Sequence, residues 1–411
     1  MRGAQPEVGS RYDAIVVGAG IAGSSLALAL AGRGHSVLLL DRARFPRDKP
    51  CGEGIMPDGV GTLQRLELAE TVLARGARPF RELALRSPRG AWAVAPFPDT
   101  PDQPSYGLVM RRRELDQALF ERAAAHPRVT ARDGVRVSAL WREGGRVGGV
   151  VADPRAAGEP CRLAATVTVG ADGLHSLFHA ACGLGRALLR RRRFGVTGHL
   201  RGIEGQADRV EVLIQREGEI YVAPGPGGLT LVALLLEAWA MRPFRGDVTG
   251  AYEHFVRDAP GLRGRMAGAE LVPPVTAVGP LGFTLDRVHG DGFLLVGDAA
   301  GFLDPISGMG MSLALKSVEV AVPVLSQAIE TGDVSAAALA PYAERRERAV
   351  EDAVQWTRLL LRLSRRRWAV EWVVHRLGRH PERFSRLLGL ASGATRYRDL
   401  HLSEKLALLG A

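Results

Sequence analysis

Residues 47–60 read RDKPCGEGIMPDGV and set a thiol, Cys51, between a proline and two glycines, two positions before a carboxylate, Glu53. A cysteine in such company can serve as a nucleophile, ligate a metal, form half of a disulfide, or sit in a loop folded around a ligand. The three cysteines, Cys51, Cys161 and Cys182, are odd in number, widely spaced and without a C-x-x-C pair. That argues against a disulfide framework and against a zinc site. Two readings of Cys51 stay open: a thiol near a reacting centre, tuning it or donating a proton, or a small filler of a tight loop. Lys49 is the one neighbour in sequence that would favour a thiolate. Glu53 is equally a site carboxylate or a charge that satisfies loop amides. No catalytic triad, carboxylate pair or metal cluster appears.

The second constellation is Gly18, Gly20 and Gly23, spaced G-x-G-x-x-G. Gly18 permits a tight turn, Gly20 lets the backbone approach a pyrophosphate, and Gly23 lets a helix lie close to a strand. Asp41 follows at the distance expected of a carboxylate for ribose hydroxyls, with Arg42 beside it.

Elements of the right type surround these residues. "YDAIVVGAG" predicts a buried parallel strand, "GAGIAGSSLALALAGRG" a helix, and "SVLLLD" a second strand. That order is β–α–β with glycines at the turn. A helix is expected around Asp58–Leu68 and another over Met110–Ala125. A hairpin is expected over "GVRVSALWREGGRVGGVVADP", turning at Gly144–Gly145, and a buried strand over "ATVTVGADG". Four strand-like runs between Arg193 and Glu237 predict an inserted antiparallel sheet. "GDGFLLVGDAAGFLDPISGMGMSLALKSVEVAV" restores strand–loop–helix order, and from Val354 onward the pattern is helical.

Together these segments resemble the FAD-dependent aromatic hydroxylases and their relatives, the flavin-dependent halogenases and geranylgeranyl reductases. "GFLLVGDAAGFLDPISGMG" (Gly292–Gly310) is similar to their flavin-binding segment. The resemblance implies that Gly297 and Asp298 meet an FAD sugar. It implies that Pro305, Gly308, Gly310 and Met311 bring amides and a helix N-terminus to the isoalloxazine, where reduced flavin is negative. "VGADGLHSLFHAACGL" resembles the Asp-Gly motif through Asp172 and Gly173, with His179 where an arginine is common. "VMRRRELDQAL" matches R-x-x-[FL]-D and nominates Arg112 for the FAD phosphates or ribose, with Arg111 and Arg113 expected in solvent. Pro50, Cys51 and Gly52 match the geranylgeranyl reductases; Gly52, Glu53 and Pro57 match the halogenases.

The fold implied is α/β: a Rossmann-like FAD-binding domain with a parallel sheet, an inserted antiparallel-sheet substrate domain and a C-terminal helical cap. The expected boundaries are 1–78, 105–185 and 280–345 for FAD, 79–104 and 186–279 for substrate, and 346–411 for the helical region. The halogenase W-x-W-x-I-P motif and lysine are missing. The reductase motif survives only as "EIYVAP" (Glu219–Pro224). The implied activity is an FAD monooxygenase, a hydroxylase or epoxidase working through a flavin C4a-hydroperoxide, with NADPH or NADH as transient donor. Its substrate would be hydrophobic, such as a polyketide, quinone or isoprenoid. The alternatives are reduction of isoprenoid double bonds, or maturation of a partner protein. Cys51, Glu53, His199 and Tyr221 are the candidate catalytic residues, and Thr197 and Gln215 candidate substrate contacts. No metal is expected.

Composition bounds the rest. At 411 residues the chain exceeds a single core. Its charge of +10 comes from scattered arginine clusters with no nucleic-acid motif, so no nucleic-acid partner is expected. The first 13 residues, "MRGAQPEVGSRYD", have no apolar core, which predicts a cytoplasmic protein without a secretory signal. Val354–Leu377 is basic and amphipathic, with Trp356, Trp368 and Trp372. It is expected to cap the substrate cavity, or to touch a membrane or an acidic carrier protein.

Overall fold

The computed structural model describes residues 11–154 and 160–400; the ends of the expected first and last regions, including the first ten residues of the stretch read for a signal, lie outside them. Strand Arg11–Val17 is flanked by Cys161–Gly170 and Val37–Leu40, all parallel. Val129–Arg132 lies beyond on one side and Phe293–Leu295 on the other. Buried on both faces, these strands read as continuous apolar runs. The register brings Val17, Leu40, Gly170 and Leu295 to one edge. The chain therefore leaves the sheet there four times, at Gly18, Asp41, Ala171 and Val296. Those exits are where an open α/β sheet binds ligands. Helices Ile21–Ala31 and Gly310–Thr331 begin just past this edge. The hairpin Val135–Glu143 and Arg146–Pro154 turns at Gly144 and Gly145, both left-handed.

A seven-stranded sheet runs Glu270–Leu285, Arg186–Arg201, Leu229–Glu237, Gly218–Pro224, Arg209–Ile214, Glu82–Arg86 and Trp92–Pro96. Its two faces differ because side chains alternate. Along Gly218–Pro224, Ile220 and Val222 pack with Tyr252 and Phe255 of helix Val248–Arg257, while Glu219, Tyr221 and Ala223 face the interior cavity. The sequence reading stopped its sheet at Glu237 and missed Glu270–Leu285. That strand carries prolines 273, 274 and 280 and sits at the sheet edge, where proline is tolerated and apolar alternation fades.

Three helices, Ala336–Leu363, Arg367–Arg379 and Pro381–Ser392, close the cavity opposite the parallel sheet. The stretch Val354–Leu377, read as one amphipathic unit, is broken at Ser364–Arg366. The close approach of the second helix to the sheet depends on Gly378, where a Cβ would come within 2.3 Å of the Trp92 carbonyl.

Candidate active site

One cavity of about 820 Å³ runs from the glycine loop to the helical cap. At its first end, Gly18 has φ +99°, and a Cβ there would lie 2.5 Å from the Ala171 carbonyl oxygen. A Cβ on Gly23 would fall 1.8 Å from the Gly18 carbonyl, so that glycine seats the helix and does not line the cavity. Gly20 is different: its open side faces the guanidinium groups of Arg47 and Arg112 at 3.5 and 3.7 Å. Asp41 braces this loop, its Oδ2 accepting from Ala19 N and its Oδ1 from Ala43 N, each at 2.8 Å. Arg42 and Gly52 line the same end.

Two cations stand over that cradle. Arg112 is buried and forks onto Asp116, Nε to Oδ1 at 3.1 Å and Nη2 to Oδ2 at 2.8 Å. Burial works against its charge, but Asp116 and then the Cys51 sulfur outweigh it and hold its pKa above the ordinary value. Arg47 joins the same carboxylate at 2.9 Å and approaches Asp41 at 3.6 Å. Sequence reasoning found Arg112 but not Arg47 or the bridging role of Asp116. Arg111, expected in solvent, is mostly covered and lies between Asp48 and Glu114; Arg113 is more exposed, 3.3 Å from Asp48.

Asp172 accepts from Leu177 N at 2.9 Å, and burial raises its pKa. Its Oδ1 is buried without a partner. Gly173 is left-handed beside Lys49, which approaches Asp298 at 3.5 Å. His179 lies off the cavity: Nε2 meets the Ala299 carbonyl at 2.9 Å, tying the Asp-Gly loop to the Asp298 turn. Gly297, Pro305, Gly308, Gly310 and Met311 form the facing wall at the N-terminus of helix Gly310–Thr331.

The Cys51 loop crosses between the two sheets. Cys51 N donates to Thr197 Oγ1 at 3.1 Å, and that hydroxyl donates back to the Cys51 carbonyl at 2.9 Å. Glu53 N donates to Cys51 Sγ at 3.3 Å. Glu53 holds φ +53°, unusual for a residue with a side chain. Its Oε1 accepts from Arg112 N at 2.9 Å, satisfying a first-turn amide of helix Arg112–Ala124, and its Oε2 accepts from His199 Nε2 at 2.8 Å. His199 was expected to face the ring. It lies behind Glu53, off the cavity, because the loop covers that end of its strand. Gln215, expected on a strand, sits in the turn after Ile214 and does not line the cavity.

Tyr221 does line it, with its hydroxyl donating to the Ile306 carbonyl at 3.2 Å. Beneath it lies Arg193, fully buried, which pairs with Glu219, with Asp304 at 3.4 Å and with Glu237 at 3.9 Å. Burial lowers the pKa of Arg193 and raises that of Asp304. The three cysteines are free. Among the described residues no cluster of His, Cys, Asp or Glu is placed to hold a metal.

These residues fit a flavin dinucleotide. Gly20 and the helix amides offer an open cradle under two arginines, Asp172 presents a buried unpartnered oxygen, and a second helix N-terminus faces the cavity middle. Comparison with known proteins agrees. A family described as "FAD binding domain" matches residues 11–357, and the chain belongs to it. The chain is 31% identical over 348 residues to digeranylgeranylglycerophospholipid reductase 2 of Methanopyrus kandleri, covering 82% of each chain. It is 28% identical over 387 residues to 6-methylpretetramide 4-monooxygenase of Streptomyces rimosus, covering 88% of this chain and 87% of that one. The flavin-dependent brominase Bmp2 superposes with TM-score 0.81 at 19% identity over 97% of both chains, a likeness of fold. The protein is an FAD-dependent oxidoreductase of the superfamily that contains aromatic hydroxylases, halogenases and geranylgeranyl reductases.

Proposed function

We propose that the protein is a monooxygenase that uses NADPH or NADH and inserts one oxygen atom into a hydrophobic small molecule. The observation that supports it most is the make-up of the cavity beyond the flavin cradle. The wall opposite Gly308 is built from Tyr221, Ala223, Ala233, Thr197 and Leu235, and the far end from Trp356, Leu360, Val373, Phe384, Leu387 and Leu388. No lysine and no free acid stands on this wall: Glu219 is held by Arg193, and the Tyr221 proton is engaged with Ile306.

Bound FAD would supply the redox and oxygen chemistry. The chain's own work is to hold the cofactor and exclude water. Gly20, Arg47, Arg112 and the amides of helix Ile21–Ala31 would hold its phosphates, and Asp172 and Asp298 would meet its polar groups. The amides at Gly308–Gly310 would favour negative charge on the ring. The capping helices exclude water, which protects a reactive oxygenating species from wasteful decay.

A second reading, saturation of an isoprenoid double bond, is favoured by one feature. Cys51 lines the cavity and faces Arg112, which sets a cysteine sulfur beside the cradle, and the relative at 31% identity is a reductase.

The deciding experiment mixes FAD-loaded protein with NADPH or NADH under nitrogen, with lipophilic phenols, quinones and prenyl compounds as a panel. Flavin bleaching accelerated by one compound is expected, and after admission of air a product heavier by one oxygen. A product heavier by hydrogen alone would replace this reading with the reductase. Flavin that dithionite bleaches but neither nucleotide does would overturn the self-sufficient hydroxylase.

A further inference from the structure

The cavity wall reaches the surface at the break between helices Ala336–Leu363 and Arg367–Arg379. Leu363 and Ser364 line the cavity, and the Ser364 hydroxyl accepts from Arg191 Nη1 at 2.7 Å. Arg191 also pairs with Glu237, two residues before Trp239. One rim therefore gathers the helix break and the Glu237–Trp239 corner of the seven-stranded sheet.

The chemistry of that rim is unlike ordinary surface. Trp368 is 58% exposed and Trp239 45%, two of the largest apolar side chains left in solvent. Arg216 stacks over Trp239 at 5.5 Å. Arg365, Arg366 and Arg367 are all exposed, and among the described residues none of the three pairs with a carboxylate. Interfacial indoles beside unneutralised arginines are what an anionic bilayer surface binds: the rings enter the headgroup layer and the guanidinium groups meet lipid phosphates. Tryptophan and arginine also serve protein interfaces; what favours a lipid surface here is that Leu363 and Ser364 of the same rim line a cavity whose far end is apolar.

We propose that this rim docks the protein on an anionic lipid surface, with the helix break as the place where an apolar substrate passes from bilayer to cavity. The contact is peripheral. Helix Gly310–Thr331 has the length and composition to span a bilayer, but it is largely buried inside the fold. The purpose of the contact rests on reading the cavity as a site for an apolar substrate; the binding itself does not.

The test is sedimentation of the FAD-loaded protein with vesicles of phosphatidylcholine alone or mixed equally with phosphatidylglycerol. Retention on the mixed vesicles only is expected. Trp368→Ser should weaken it about tenfold, and the triple change Arg365→Glu, Arg366→Glu, Arg367→Glu about a hundredfold, with flavin absorbance and Tm unchanged in both. No retention on mixed vesicles would overturn the proposal. So would retention indifferent to Trp368→Ser yet abolished by soluble polyglutamate, which would assign the rim to an acidic protein. Because the readout needs no turnover, a failed monooxygenase assay leaves this result standing.

Discussion

His199 Nε2 donates to Glu53 Oε2 at 2.8 Å, across 146 positions of sequence, with both side chains buried. This bond fastens the Cys51 loop to the seven-stranded sheet, and the other oxygen of Glu53 fastens it to the helix that carries Arg112. A cofactor held in the cradle would feel the two residues only through this loop. His199→Phe leaves a buried carboxylate with one partner fewer, a loss of about 2 kcal/mol. FAD should then bind about thirtyfold more weakly in a fluorescence titration. Glu53→Gln keeps an oxygen for Arg112 N and removes the charge, so its loss should be smaller. Equal losses in the two variants would argue against the latch.

Gly20 and Gly23 should fail in different ways. A Cβ on Gly20 meets only ordinary contacts, the nearest at 3.5 Å, and projects into the cradle. Gly20→Ala should keep the Tm of the apoprotein and lose FAD. A Cβ on Gly23 would overlap the Gly18 carbonyl at 1.8 Å, so Gly23→Ala should lower the Tm of the apoprotein itself. Calorimetry of both apoproteins separates the cases, and a fall in Tm for Gly20→Ala would contradict the geometry.

The glycine loop, the Asp-Gly turn and the Asp298 loop were legible because each function there is written locally. Turn residues, a strand end and a helix start follow one another within fifteen positions. What could not be read was the partner across the fold. Cys51 has only Lys49 beside it in sequence, while Arg112 arrives from a helix some sixty positions on. Thr197, His199, Gln215 and Tyr221 were all nominated from the strand-like runs that carry them, and of the four only Thr197 and Tyr221 line the cavity. Those runs could not show that the Cys51 loop covers His199, since strand patterning gives the face and not what lies over it.

Arg193 should matter for stability because of the acids packed around it. It is the cation between buried Glu219 and Asp304, while Glu237 also has Arg191, so Arg193→Met would strand two buried carboxylates, a cost of about 3–5 kcal/mol. Burial already raises the pKa of Asp304, against the pull of Arg193. A raised carboxyl pKa favours the fold while the group is protonated, and that advantage is lost as pH climbs through the folded value. Without Arg193 the pKa rises further, so the variant loses more on going up. The Tm gap between wild type and Arg193→Met should widen from about pH 5 to about pH 8; a gap constant with pH would show that the carboxylates are not the cause.

Tyr221 is the cavity-wall residue most easily mistaken for an acid or base. Burial, aided by the Asp304 charge and opposed by Arg193, drives its phenol pKa well above the ordinary value near 10. Its proton is already donated to Ile306, in the turn that leads into helix Gly310–Thr331. The raised pKa and this bond both keep the proton on the phenol at neutral pH, where its work is to hold the Pro305–Gly308 turn against the seven-stranded sheet. Tyr221→Phe removes one buried hydrogen bond, about 1 kcal/mol. The NADPH-driven flavin reduction proposed above should slow by no more than about tenfold, with an unchanged pH profile from about pH 6 to about pH 9. An alkaline limb present in the wild type and missing from Tyr221→Phe would instead make the phenol a group that exchanges its proton during turnover.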